Sequence, residues 1–76
     1  MGKDLKFVKD GKIYKLEGTE VAGQRVYDNY ISMLDMRRMR QGGMLMVQGR
    51  DIIVNDKGLE YLKRARYNVT IVGEQK

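Results

Sequence analysis

Hydrophobic and polar positions alternate with a period of two at the start of the chain, in Leu5-Lys6-Phe7-Val8-Lys9 and again in Lys12-Ile13-Tyr14-Lys15-Leu16. Two such runs around Asp10-Gly11 predict a β-hairpin with a two-residue type I′ turn, because Asp-Gly accepts the positive φ angles that this turn requires. The implied pairing sets Phe7 opposite Tyr14 and Leu5 opposite Leu16 on one face, with Lys6 opposite Lys15 on the other. Facing lysines weaken a ladder slightly, and they also discourage edge-to-edge pairing with another chain.

Over residues 19–41 the apolar positions take a helical spacing, through Val21, Ala22, Val26, Tyr27, Tyr30, Ile31, Met33, Leu34, Met36 and Met39. Thr19 reads as the N-cap, Glu20 sits in the first turn, and Gly42-Gly43 is the stop. The apolar set is too broad for one stripe on a surface helix. Two arrangements stay open: a single helix, or two helices broken near Val26 to Asp28 with Asp28 capping the second.

Beyond the double glycine, Met44-Leu45-Met46-Val47 and Ile52-Ile53-Val54 flank Gln48-Gly49-Arg50-Asp51, which predicts a second hairpin with Gly49-Arg50 in its turn. Leu45, Val47, Ile52 and Val54 then share the core face. Asn55 or Asp56 caps a helix carrying Leu59, Leu62 and Ala65, Val69 to Val72 form a short last strand, and residues 74–76 read as a frayed tail. No repeat, linker or proline interrupts this order. The expectation is one small α+β domain over residues 1–76: an N-terminal hairpin, one or two helical segments, a second hairpin, then a helix and a short strand.

Composition narrows the chemistry. With 76 residues the chain has material for one core and no more. It contains neither Cys nor His, so the usual thiolate and imidazole ligands and the common nucleophile-base pairs are absent. No metal, no cofactor and no enzymatic activity are expected. Gly11, Gly18 and Gly23 make no phosphate-loop spacing, and Gly42-Gly43 follows a helix instead of opening one. The absence of cysteine fits a reducing compartment. The N-terminal residues lack an apolar signal core, and no run approaches the ~20 apolar residues that span a bilayer. A cytoplasmic protein with no membrane partner is therefore expected.

The net charge is +5, and it is concentrated: Arg37, Arg38, Arg40, Arg50, Lys57, Lys63, Arg64 and Arg66 stand against only Asp51, Asp56 and Glu60 in the same stretch. Such a block attracts polyanions, nucleic acid first, through release of condensed counterions. It also serves simply as a solvated face. Five of the six methionines lie between residues 33 and 46. Methionine fills irregular cores and also lines adaptable contact surfaces, and helical spacing favours the core.

Several of these segments resemble a winged helix-turn-helix DNA-binding domain over residues 19–66. Glu20-Val21-Ala22 looks like the start of the first motif helix, where a small Ala packs on its neighbour. Met36, Met39, Gly43 and Met44 are similar to the apolar pattern that ends a recognition helix and leads into the wing, and residues 44–54 resemble a short wing. Val54-Asn55-Asp56-Lys57-Gly58-Leu59-Glu60-Tyr61-Leu62 is similar to the opening of the helix after the wing. A weaker resemblance, through residues 47–54, is to Sm-like RNA-binding barrels.

The winged-helix resemblance implies a small transcriptional-regulator-like protein that binds duplex DNA, as a homodimer, through an Arg-rich helix and a wing. Asn29, Tyr30, Ser32 and Met33 would face bases, Arg37, Arg38 and Arg40 would meet phosphates, and Arg50 and Lys57 would extend the contact. Two other readings stand beside it. One is a protein-interaction module, an inhibitor or assembly factor, using the methionine-rich surface. The other is RNA binding, with tyrosines stacking on bases beside the basic block.

Overall fold

A computed structural model describes residues 4–27 and 29–74. Strands β1 (Asp4–Asp10) and β2 (Ile13–Leu16) form the first hairpin, with Phe7 paired to Leu16, Lys9 to Tyr14 and Asp10 to Ile13. The turn is Gly11-Lys12, one residue later than Asp10-Gly11. Gly11 carries the positive φ of +64°. That is the type II′ pattern, which asks for Gly at the first central position and lets Asp10 stay in the strand. The pairing consequently moves by two residues, and a two-residue shift leaves every side chain on its expected face. Leu5, Phe7 and Leu16 are all buried. Lys15 now faces Val8 instead of Lys6, and its Nζ lies 3.4 Å from Asp10 Oδ2.

The helix expected over residues 19–41 is confined to its second half. Residues 19–26 form an antiparallel ribbon, β3 (Thr19–Val21) and β4 (Gln24–Val26), joined at Ala22 and Gly23 with φ of +51° and +78°. Two consecutive positive φ angles make this a type I′ turn. Thr19 is thus a strand residue and not a helix cap. Ala22 is exposed in the turn and does not pack on a neighbouring helix. The physical reason lies in the residue types: Thr19, Val21 and Val26 are β-branched, and Gly23 would weaken a helix at its centre. Asp28 falls outside the described residues. Helix α1 runs over Met33–Gln41, capped by Ser32.

The second hairpin forms as expected, from β5 (Leu45–Gln48) and β6 (Asp51–Val54), with Leu45 paired to Val54, Val47 to Ile52, and Gly49 at φ +56° in the turn. Leu45 and Val54 are buried, Ile52 is half-buried, and Val47 is exposed. On its other side β6 pairs with β2, so this hairpin is built into the main sheet. Helix α2 (Asp56–Arg64) follows directly. Asn55 is its cap, and Ala65 lies at its C-terminal end in solvent, outside the core. Arg66, at φ +70°, turns the chain into β7 (Asn68–Glu74), which is longer than the expected last strand and takes in Glu74.

β7 runs parallel to β1, with Leu5 beside Val69 and Phe7 beside Ile71, and completes a sheet of order β5-β6-β2-β1-β7. The registers put Leu5, Phe7, Leu16, Leu45 and Val54 on one face. Ile31, Met39, Leu59 and Leu62 pack against that face, so both helices cover the same side of the sheet. Ile53 is buried on the reverse face, in register between Met46 and Lys15. Among the described residues, no helix is long and apolar enough to cross a membrane.

Gly58, in the first turn of α2, shows how tightly the helices are seated. A Cβ there would lie 2.6 Å from the Met44 carbonyl oxygen and 2.9 Å from Val54 Cβ. Neither neighbour is a flexible side-chain end. Gly58→Ala is expected to destabilise the fold by about 2 kcal/mol despite alanine's better helix propensity. For a domain of this size that is a fall in Tm of roughly 10 °C. Thermal unfolding followed by circular dichroism tests this, and an unchanged or higher Tm would show that α2 is free to shift.

Candidate nucleic-acid interface

The two helices present the basic block, and a network at the edge of the core fixes how they do so. The Ser32 hydroxyl caps α1: Oγ accepts from the Asp35 backbone N–H at 3.3 Å and donates to Asp35 Oδ2 at 2.9 Å. Tyr61 on α2 donates to Asp35 Oδ1 at 2.9 Å, and Tyr67, just before β7, donates to Asp35 Oδ2 at 2.9 Å. The Ser32 N–H closes the network on the Tyr67 hydroxyl at 3.0 Å. One carboxylate in the first turn of α1 therefore ties that helix to α2 and to the sheet.

Partial burial would by itself push the Asp35 carboxyl up. The hydrogen bonds from Tyr67, Ser32 and Tyr61, together with the positive Arg38, outweigh it and hold the carboxyl below its ordinary range. Tyr61 is raised, first by burial and then by its bond to that carboxylate, with Arg38 opposing. On α2, Asp56 Oδ1 accepts from Tyr14 OH at 3.0 Å, and this bond raises the Tyr14 phenol.

The helical layer, α1 and α2 with Arg66, carries seven basic residues and three acidic ones, Asp35, Asp56 and Glu60. Two of those three carboxylates are engaged by tyrosine hydroxyls of the fold. The N-terminal strands, by contrast, are nearly balanced, with five basic and four acidic residues over residues 4–27. The positive field thus belongs to the helical side of the molecule.

The site residues expected from the sequence are only partly brought together. Met33, Arg37 and Arg40 lie along one side of α1, where with Met36 and Gln41 they line a shallow groove of about 460 Å³. Lys57 lines a second groove of about 320 Å³ on α2 with Met44, Glu60, Tyr61 and Arg64. Arg38 is exposed on the Tyr61 and Asp35 side of α1.

Ser32 does not face outward toward bases: its hydroxyl and its N–H are both taken up at the cap. Asn29 and Tyr30 precede the helix and do not lie on it. Tyr30 is exposed, whereas half-buried Asn29 lines a cleft of about 220 Å³ with Asp4, Lys6, Glu17, Gly18, Thr19 and Val26. Arg50 stands at the tip of the β5–β6 hairpin, where its Nη1 donates to the Gly23 carbonyl at 2.8 Å and its own carbonyl accepts from Tyr27 OH at 2.8 Å. Arg50 therefore clips the β3–β4 ribbon to the sheet.

Arg64 is the main addition that the structure makes to this surface. Lys57, Tyr61 and Arg64 follow the i, i+4, i+7 spacing of one helical face, a signal present in the sequence once α2 is assigned. The chain matches no known family model, no curated protein and no solved structure.

Ser32→Ala is expected to destabilise the protein by about 1 kcal/mol, the usual loss at an N-cap. Chemical denaturation measures this, and an unchanged midpoint would show that the cap does not hold the start of α1. Asp35→Asn removes charged acceptors and is expected to cost about 2 kcal/mol at neutral pH. Because the folded-state pKa of Asp35 is depressed, its stabilisation is complete above the unfolded value of about 3.9 and disappears as pH falls through the folded value. The gap between wild type and Asp35→Asn should therefore be full at pH 6 to 7 and close progressively below about pH 4. Parallel stability curves for the two proteins between about pH 2 and 6 would remove Asp35 from this role.

Proposed function

We propose that the protein is a small, non-catalytic nucleic-acid-binding domain of regulatory type that engages duplex DNA with its helical side. The observation that carries this reading is the segregation of charge. Arg37 and Arg40 on α1 and Lys57 and Arg64 on α2 line two open grooves, while Asp35 and Asp56 in the same layer are drawn into hydrogen bonds with tyrosines. A basic helical layer on one face of a sheet suits phosphate contact, which supplies most of the affinity of non-specific binding.

On this reading α1 is the helix presented to a groove of the duplex, with Met33, Arg37 and Arg40 toward the DNA and Tyr30 at its margin. The order of helix, hairpin and Asn-capped helix supports the winged-helix likeness. A homodimer would double the few base contacts that one such module makes. The protein would act in the cytoplasm.

Fluorescence anisotropy of a labelled random-sequence duplex, titrated between ~50 and ~200 mM salt, tests the proposal. Micromolar binding that falls steeply with salt is expected. The triple variant Arg37→Ala, Arg40→Ala, Arg64→Ala changes only exposed side chains. It should lower the log-log salt slope by between about 2 and 3, near 0.9 for each phosphate no longer neutralised. Tighter binding to single-stranded RNA than to the duplex would redirect the reading to RNA. No binding at the lowest salt would reduce the basic layer to a solubility feature.

A further inference from the structure

The groove on α1 has apolar side chains in and beside it that phosphate contact does not use. Met33 is 81% exposed, Leu34 55% and the preceding Tyr30 56%, a run of large apolar side chains on and beside a helix of nine residues. Met33, Met36, Arg37, Arg40 and Gln41 line a cavity of about 460 Å³ along two turns of that helix. We propose that this groove is a docking site for an acidic amphipathic helix of a partner protein.

Each part of the groove matches a part of that ligand. Methionine side chains are flexible and polarisable, and they accept leucine- or phenylalanine-type anchors of varied shape. Anchors at i, i+3 or i+4, and i+7 of a ligand helix match the length of α1. The guanidinium groups of Arg37 and Arg40 are suited to paired hydrogen bonds with carboxylates beside those anchors.

Charge also decides against the nearest alternative, a second copy of this chain. Self-association through α1 would bring Arg37 and Arg40 against their own copies. The carboxylate of α1, Asp35, is bonded to Ser32, Tyr61 and Tyr67 on the Arg38 side of the helix and does not line the groove that holds Arg37 and Arg40. Because Arg37 and Arg40 also belong to the proposed DNA surface, an acidic helix seated here excludes DNA from α1.

The test is anisotropy of a labelled 16-residue helical peptide bearing Leu at i, i+3, i+4 and i+7 with Glu on its flanks, compared with a peptide in which those Leu are Ser and the charges are kept. Binding in the micromolar range is expected for the Leu peptide, as befits a small interface, and at least tenfold weaker binding for the Ser peptide. Met33→Gln should weaken the Leu peptide by about tenfold, the usual effect of altering a central anchor side chain. Arg37→Glu with Arg40→Glu should abolish peptide binding. Failure of the Leu peptide to bind, equal binding of the Ser peptide, or indifference to Met33→Gln would each overturn the proposal. None of these outcomes depends on whether the protein binds DNA.

Discussion

The backbone of Met44 is the point on which the arrangement of the two helices depends. Its N–H donates to the Met39 carbonyl at 2.8 Å, closing the end of α1, and its carbonyl accepts from the Asn55 N–H at 3.3 Å. Asn55 in turn caps α2 through Oδ1 to the Gly58 N–H at 2.9 Å, while its Nδ2 reaches the Gly43 carbonyl at 3.2 Å. Gly58 is pressed onto the same Met44 carbonyl closely enough that no side chain fits. The end of α1, the start of β5, the end of β6 and the start of α2 therefore meet in one polar knot with little freedom. Asp35 supplies the matching fastening at the other end of α1, so that helix is held at both ends against α2 and the sheet.

This pair of fastenings has an electrostatic consequence. Asp35 and Asp56 sit in the first turns of their helices, where a negative charge also favours the helix dipole, and each accepts a tyrosine hydroxyl from another element. Both carboxylates keep their charge, but the tyrosine bonds hold them at the helix starts, and neither lines the grooves that carry Arg37, Arg40, Lys57 and Arg64. What remains outward on both helices is mainly basic and apolar. The surface character follows from this placement together with the seven basic residues that stand against three acidic ones in the helical layer.

Much of this is legible in the residues, and the departures have identifiable causes. The β5–β6 register, the Asn55 cap and the buried face of Leu5, Phe7 and Leu16 follow from alternation and turn chemistry, which act over a few residues. The first turn falls one residue later than expected because Asp-Gly and Gly-Lys both provide a permitted turn, and alternation is indifferent to a shift of two. Residues 19–26 mislead because Val21, Ala22 and Val26 fit a loose helical spacing as well as a short ribbon. Ala22 at φ +51° is an unusual choice for the first position of a type I′ turn, so the turn signal there is weak. Ser32 reads as an outward polar residue because its cap role shows only once the start of α1 is known. The Asp35 network joins residues 26 and 32 positions apart. No local pattern encodes it.

The methionines show why periodicity alone leaves their role open. Met33, Met36 and Met39 are spaced by three, and since an α-helix advances about 100° per residue, each step of three falls about 60° short of a full turn. Successive members of the series therefore wind around α1 instead of lining one side. Met39 reaches the core and is wholly buried, Met36 is half-buried at its edge, and Met33 is 81% exposed. Core filling and surface presentation are consequently two ends of one series on one helix. The sheet fixes the inner end, and a rotation of about 120° around the helix from Met39 turns the outer end, with Leu34 beside it, toward solvent.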